Sequence, residues 1–254
     1  MRQRHLGFLA VCLSAVVSHA HGIAEEPLSG RQVGQQFTSP RDKSLTSRYL
    51  LFLPKGYQPR GATPGKKTWP LLMFLHGSGE RGANLELVKK HGPPKIVEKK
   101  ADFPFVVISP QCPTGKRFAP RVLTALLDDV QHRHNVDSRR IYVTGLSMGG
   151  AGTWDLANAD PKRLAAIVPI CGTSEIDQSR FRTLPIWAAV GGKDRPSLVG
   201  GLQQTVAQLR EQGTPIRFTI YPQLGHNCWD AMYDDPALYK WLLGHTSAPK
   251  QPSK

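Results

Sequence analysis

Residues 140–149 read Arg-Ile-Tyr-Val-Thr-Gly-Leu-Ser-Met-Gly. The first half is an apolar run typical of a buried strand, and the second half is a Gly-x-Ser-x-Gly pattern. This combination is typical of a sharp strand-to-helix turn that exposes a serine hydroxyl, here that of Ser147, on a strained corner. Gly145 and Gly149 flank the corner because a Cβ atom there would collide with the neighbouring strand and helix. The pentapeptide also occurs in ordinary turns, so its meaning depends on the rest of the chain.

The composition is that of a globular protein. The chain has 254 residues, of which 40% are apolar and 20% are charged, which suffices for one large domain with a real core. The formal charge of +14 could favour acidic polymers, but the Lys and Arg residues are scattered, and solubility is the simpler explanation. We expect no nucleic-acid partner because no nucleic-acid-binding motif is present in the sequence.

The first twenty residues have the pattern of a secretory signal peptide. Arg2 and Arg4 give a positive start, residues 6–17 are almost wholly apolar, and small residues precede a cleavage site near Ala20. The apolar run is short for a membrane span, which needs roughly 20 residues, so an uncleaved anchor is the less favoured alternative. We therefore expect a secreted or periplasmic protein with no stable membrane insertion after cleavage.

The remaining chain alternates short apolar strands with helical segments. We divide it into an N-terminal arm at 21–45, ordered in part at most, a catalytic domain at 46–245 and a disordered tail at 246–254. The alternation predicts βαβ units, and hence an α/β fold with a mostly parallel sheet and helices on both faces. The segment 47–53, which ends at Pro54, is predicted as an edge strand. Active sites of such sheets lie at the carboxyl ends of the strands.

Two polar residues follow predicted strands and would complete a catalytic site with Ser147. His226 follows the last strand, where it could accept the proton of the serine hydroxyl. Asp194 follows the preceding strand, where it could orient the imidazole, and Asp177 is the competing acid. The order Ser, Asp, His along the chain is the one found in serine hydrolases built on this kind of sheet.

A glycine-rich loop at 76–82, His-Gly-Ser-Gly-Glu-Arg-Gly, follows the central strand. Its glycines would let backbone N–H groups point into the site. We predict an oxyanion hole from the N–H groups of Ser78 and Met148, with His76 bracing the loop. A plain glycine-rich turn is the alternative. The sequence has no phosphate-loop, dinucleotide or zinc-binding pattern, so we expect neither a cofactor nor a metal.

With these motifs the chain resembles the exported esterase branch of the α/β-hydrolases, which includes polyhydroxybutyrate depolymerase-like, feruloyl esterase-like and dienelactone hydrolase-like proteins. The likeness covers roughly residues 46–243 and is carried by residues 70–82, 109–113, 140–150, 168–172, 185–187 and 225–226. The resemblance implies a triad of Ser147, Asp194 and His226. One departure lies ahead of the acid, where residues 189–191 read Ala-Val-Gly and relatives usually carry Phe-His-Gly.

The resemblance implies a carboxylic ester hydrolase that acts through an acyl-enzyme on acetyl or feruloyl esters of polysaccharide, or on other small acyl esters. A serine peptidase of the same fold is the alternative enzyme. A catalytically silent binding protein is the alternative of another class, because this fold also serves such proteins.

Three cysteines remain after the predicted signal peptide. Each follows a strand, and a bond between Cys112 and Cys228 could tie two loops above the site, while three unpaired thiols are an equal alternative. Trp154 and Trp229 could line the pocket, although core packing is the commoner use of tryptophan.

Overall fold

The computed structural model describes residues 29–61 and 68–248. The predicted signal peptide and the last six residues of the predicted tail lie outside the described residues, so both remain predictions. The beginning of the tail is ordered, since the backbone N–H of Ser247 donates a hydrogen bond to the carbonyl oxygen of Arg139 at 2.8 Å. Among the described helices, none has the length and apolar character needed to cross a membrane.

In the described residues, eight strands form one sheet. They are β1 (Gln32–Thr38), β2 (Thr46–Phe52), β3 (Trp69–Leu75), β4 (Val106–Pro110), β5 (Val136–Leu146), β6 (Ala166–Ile170), β7 (Ile186–Gly191) and β8 (Ile216–Tyr221). The spatial order is β1-β2-β4-β3-β5-β6-β7-β8. β2 runs antiparallel to both β1 and β4, and all other neighbours are parallel. The predicted mostly parallel sheet is therefore confirmed.

Four of the α-helices of the described residues lie between strands in the chain, and the other two follow β8. The helices are α1 (Gly92–Val97), α2 (Pro120–Arg133), α3 (Met148–Ala159), α4 (Pro196–Glu211), α5 (Trp229–Tyr233) and α6 (Pro236–Leu243). Helices α2, α4 and α6 each begin with a proline. Proline suits the first helical turn because it has no N–H group, and an N–H group at that position would have no partner within the helix.

Helices cover both faces of the sheet. Successive strand residues point to opposite faces. On β3, the ring of Phe74 packs edge-on against Tyr233 of α5, with centroids 5.8 Å apart. The next residue, Leu75, packs on the other side against Gly152 of α3, where an added Cβ would lie 3.2 Å from the Leu75 Cδ1. Helices α3 and α5 therefore lie on opposite faces, as predicted.

The predicted N-terminal arm is described from residue 29 onward and contains strand β1, whereas its residues 21–28 lie outside the described residues. Strand β1 pairs with β2 along its whole length, from Gln32 opposite Phe52 to Thr38 opposite Thr46. The prediction that 47–53 is an edge strand is therefore wrong, since β2 is internal and β1 forms the edge. The polar sequence of β1 hid it, because only Phe37 of that strand is buried and its pairing depends on backbone hydrogen bonds.

Candidate active site

Ser147 occupies the corner between β5 and α3. Its backbone has φ 53° and ψ −114°, a conformation that costs energy for any residue other than glycine. Two backbone hydrogen bonds hold the corner: the N–H of Ser147 donates to the Ile170 carbonyl at 2.8 Å, and the Ser147 carbonyl accepts from the N–H of Ala151 at 3.0 Å. The predicted strand-to-helix turn is present.

The glycines around Ser147 are required by close backbone contacts. A Cβ on Gly149 would overlap the carbonyl oxygen of Leu75, and a Cβ on Gly145 would overlap the carbonyl oxygen of Gly149. Gly172, after β6, would meet the carbonyl oxygen of Ser147 in the same way. The corner can pack this tightly against the neighbouring strand ends only without these side chains.

The three side chains predicted to work together do meet. His226 Nε2 lies 2.8 Å from the Ser147 Oγ, and His226 Nδ1 lies 2.6 Å from the Asp194 Oδ2. Because a carboxylate only accepts hydrogen bonds, Nδ1 carries the hydrogen and Nε2 is left to accept from the serine hydroxyl. The Asp194 side chain is only 3% exposed, whereas the His226 side chain is 38% exposed. The acid is thus shielded from water while the base faces the solvent side.

The competing acid lies elsewhere. The Asp177 carboxylate accepts hydrogen bonds from the N–H and the hydroxyl of Ser179, capping the short 3₁₀ helix Gln178–Phe181 on the surface. The second oxygen of Asp194, by contrast, accepts from the backbone N–H of Arg195 at 2.7 Å. The structure therefore brings Asp194, rather than Asp177, to the histidine.

Backbone contacts bring the acid and base loops together. A Cβ on Gly191 would overlap the carbonyl oxygen of Gly225, so the two loops touch at that point. The N–H of Lys193, two residues after Gly191, donates to the carbonyl of Leu224, the residue before Gly225, at 2.9 Å. These contacts align the acid and the histidine that follow them.

The predicted oxyanion loop passes directly beside the nucleophile. A Cβ built on Gly77 would lie 3.8 Å from the Cβ of Ser147. Ser78 begins the 3₁₀ helix Ser78–Glu80, and Met148 is the first residue of α3. In the described part of the chain, neither of their N–H groups donates to another backbone carbonyl. Both donors are thus available near Ser147.

His76 braces this loop, as predicted. Its Nε2 accepts a hydrogen bond from the backbone N–H of Cys112 at 3.0 Å, so its Nδ1 must carry the hydrogen that binds the carbonyl of Gly77 at 2.7 Å. Burial lowers the pKa of His76 below its usual value of 6.5. The neutral ring therefore ties the oxyanion loop to the segment after β4.

A chain of contacts that the sequence did not reveal links the base to the oxyanion loop. Trp229 stands edge-on to His226, with ring centroids 5.4 Å apart at 88°. Its indole Nε1 donates to His91 Nδ1 at 3.3 Å, and His91 Nε2 lies 4.0 Å from the buried carboxylate of Glu80. Glu80 belongs to the glycine-rich motif, but nothing in the sequence marked His91.

The two tryptophans have different uses. Trp229 packs against the base, whereas Trp154 is a core residue, 1% exposed, whose Nε1 donates to the carbonyl of Gly172 at 3.1 Å. This bond holds Gly172, which packs against the carbonyl oxygen of Ser147.

Of the two alternatives left open for the cysteines, the structure has three unpaired thiols and no bond between Cys112 and Cys228. Cys228 Sγ lies 3.0 Å from the Sγ of Cys171, while the Cys112 Sγ donates to the carbonyl of Lys116 at 3.4 Å under the oxyanion loop. Cys228 precedes α5 and packs downward against the end of β6, so it does not reach across the top of the site. All three are free thiols in this structure.

Among the described residues, one group of three side chains has metal-binding chemistry, namely Cys171, Asp194 and His226, whose ligand atoms lie within 4.8 Å of one another. Both ring nitrogens of His226 already contact Asp194 and Ser147. Binding a metal here would break the acid–base–serine chain, so these residues fit proton transfer better than metal ligation.

Comparisons with known proteins concern the family and the fold of the chain. The family model described as "Dienelactone hydrolase family" matches residues 94–234, more than half of the chain. A curated relative, a bifunctional acetylxylan esterase/xylanase of Neocallimastix patriciarum, is 28% identical in an alignment of 147 residues that covers 54% of this chain and 21% of that protein.

Solved structures extend the comparison to the fold. A thermostable esterase is 27% identical with a TM-score of 0.69, over 86% of this chain and 64% of that one. A ferulic acid esterase is 18% identical with a TM-score of 0.62, over 84% of this chain and 96% of that one. The chain thus spans about a fifth of the curated relative and just under two thirds of the thermostable esterase. It has the α/β-hydrolase fold and belongs to the dienelactone hydrolase family.

Proposed function

We propose that this protein is a secreted or periplasmic carboxylic ester hydrolase that works through an acyl-enzyme intermediate. The observation that carries the proposal is the hydrogen-bonded chain from Asp194 through His226 to Ser147, with contacts of 2.6 and 2.8 Å. Ser147 is the nucleophile, His226 is the general base and then the general acid, and Asp194 orients the imidazole.

Acylation follows from these contacts. Ser147 Oγ attacks the ester carbonyl carbon while its proton passes to His226 Nε2. The imidazolium that forms is stabilised by the shielded Asp194 carboxylate, which itself keeps its negative charge. His226 then gives the proton to the leaving alcohol, and the acyl group stays on the serine oxygen.

The negative charge on the carbonyl oxygen needs donors on the other side of the carbonyl. The N–H groups of Ser78 and Met148 fill this role in the proposal, and one such donor typically contributes about 3–4 kcal/mol to lowering the barrier. In deacylation a water molecule repeats the attack, with His226 again accepting and returning the proton. No cofactor takes part in the proposed cycle.

The proposed substrates are acetyl or feruloyl esters of polysaccharide, or other small acyl esters. The proteins it resembles support this choice, since one is described as an acetylxylan esterase/xylanase and another as a ferulic acid esterase. The signal-peptide pattern at 1–20 supports it further, because export would bring the enzyme to extracellular polymers.

The first experiment is covalent labelling with a fluorophosphonate probe. We expect the wild type to be labelled on Ser147, Ser147→Ala to be unlabelled, and Ser179→Ala, which changes an exposed serine, to be labelled like the wild type. If the wild type is not labelled, the enzyme hypothesis is rejected and the hypothesis of a catalytically silent binding protein remains.

The second experiment compares the same three proteins on acetylated xylan, feruloylated xylan, p-nitrophenyl acetate and peptide anilides. We expect ester hydrolysis that depends on Ser147. A wild-type preference for the anilides would make the protein a peptidase instead. N-terminal sequencing of the protein recovered from the periplasm or the medium tests export, with a start just after Ala20 as the expected result.

A further inference from the structure

Two buried thiols lie directly behind the base. Cys171 follows the last residue of β6, and Cys228 immediately precedes α5, two residues after His226. Their Sγ atoms are 3.0 Å apart, and the residues are 2% and 0% exposed. The two sulfurs thus face each other in the buried interior. They lie between β6, whose end is next to Ser147, and the loop that carries His226.

The backbone of Cys171 is held in an unusual state. Its φ is 50°, and apart from Ser147 it is the one residue other than glycine in the described part of the chain with positive φ. Its N–H donates to the carbonyl of Ala189 at 2.9 Å, and the following Gly172 is pressed against the carbonyl of Ser147. Strained residues persist where their surroundings fix them, and here the strain coincides with a sulfur aimed at Cys228.

We propose that Cys171 and Cys228 form a disulfide in the mature protein, and that this bond is a covalent clamp that positions His226. An S–S bond is about 2.05 Å long, so the sulfurs need to approach by only about 1 Å. The bond itself is independent of the proposed activity, whereas its effect on His226 rests on that proposed function. Export to an oxidising compartment would allow such a bond to persist.

Thiol–disulfide exchange with a small or protein disulfide supplies the chemistry. The hydrogen bond from the Cys228 thiol lowers the pKa of the Cys171 thiol. The Cys171 thiolate attacks the oxidant disulfide and releases one thiolate. Cys228 then loses its proton and attacks the Cys171 sulfur, releasing the second thiolate. The two cysteines together lose two protons and two electrons, and the oxidant becomes two thiols.

The position of the bond explains what it would do. It joins residues 57 positions apart in sequence and so closes a long loop that contains Asp194. The Cys171 sulfur, the Asp194 carboxylate and a ring nitrogen of His226 all lie within 4.8 Å of one another. A bond here would fix the start of α5 against β6, and the neighbouring histidine would lose freedom to swing away from Ser147.

The bond is tested first by peptide mapping. The full chain is exported in cells, purified without reductant, alkylated under denaturing conditions and digested. We expect a linked peptide pair containing Cys171 and Cys228, lighter by two hydrogen atoms than the sum of the thiol peptides, and an alkylated Cys112. Alkylation of all three cysteines, or a link through Cys112, would overturn the proposal.

The clamp is tested by reducing the wild type and by comparing Cys228→Ser with Cys112→Ser. Reduction should lower the unfolding temperature by on the order of 10 °C and decrease kcat on p-nitrophenyl acetate severalfold with KM unchanged. Cys112→Ser should respond to reductant as the wild type does, and Cys228→Ser should not respond.

Two results separate the disulfide, the clamp and the proposed function. A linked protein whose kcat does not change on reduction would overturn the clamp. If Cys228→Ser does not fold, the reduction of the wild type and of Cys112→Ser still decides the matter. A linked protein without ester hydrolysis would leave the disulfide standing and reject the proposed function.

Discussion

Replacing Asp194 by asparagine tests the role of the acid with almost no change in shape. The carboxylate Oδ2 now accepts the hydrogen of His226 Nδ1 at 2.6 Å. An amide nitrogen at that position would donate to Nδ1 instead, and the ring would then carry its hydrogen on Nε2. In that tautomer Nε2 cannot accept the proton of Ser147, to which it is now bonded at 2.8 Å.

The size of the effect follows from the same contacts. The variant loses both the correct tautomer and a shielded negative charge beside the imidazolium, and a change of this kind in a serine triad costs about 10⁴-fold in kcat. At about 1.4 kcal/mol for each factor of ten, the barrier should rise by about 5 kcal/mol. The low exposure of Asp194 supports an effect of this size, because water does not screen the lost charge.

The assay is the kcat of p-nitrophenyl acetate hydrolysis, with circular dichroism to verify that the variants fold. Asp177→Asn is the matched control, since that exposed carboxylate caps a surface turn, and its kcat should stay within about twofold. The reasoning is refuted if a folded Asp194→Asn keeps more than about a tenth of the wild-type kcat, or if Asp177→Asn shows the larger loss.

Three further predictions concern stability, each measured by denaturant unfolding. Gly149→Ala would drive a methyl group into the Leu75 carbonyl and should cost about 3 kcal/mol and abolish probe labelling, whereas Gly200→Ala, with open space in α4, should gain about 0.5–1 kcal/mol; equal effects would contradict the packing argument. Burial lowers the pKa of His76, so the unfolded chain binds a proton that the folded chain does not, and stability should fall as pH drops below 6.5; His76→Gln should flatten this fall, and an unchanged slope would count against it. Burial raises the pKa of Tyr142 to about 12, so stability should be lost as pH rises from 10 towards that value; the loss should be smaller in Tyr142→Phe, and an equal loss would exclude Tyr142 as its source.

Much of the sheet could be predicted because its central strands are buried on both sides. Strand β4 has every residue buried and begins with the apolar run Val-Val-Ile, so its existence was evident from sequence. Strand β1 has one buried residue, Phe37, and gave no comparable signal. The strength of the prediction followed the amount of apolar burial, which explains why strand β1 was not predicted.

The residues of the candidate site also divide into those that could be predicted from the sequence and those that could not. Ser147, Asp194 and His226 could be located because each follows a strand. Close backbone approaches also require Gly145 near Ser147 and Gly191 near Asp194. The contact between Trp229 and His91, and the pairing of Cys171 with Cys228, depend on where side chains point after folding. Strand spacing places residues at one edge of a sheet but does not say which of them face each other.

This distinction explains why the departure at residues 189–191 leaves the acid in place. Ala189 and Val190 are both fully buried, so the side chains that differ from the usual pattern pack in the core. Asp194 is positioned instead by backbone contacts, above all the approach of Gly191 to the carbonyl of Gly225. Of the three residues, only Gly191 is also present in the usual pattern. It is also the one at which no side chain fits. The contact of 2.6 Å between Asp194 and His226 is therefore compatible with Ala189 and Val190 in place of the usual residues.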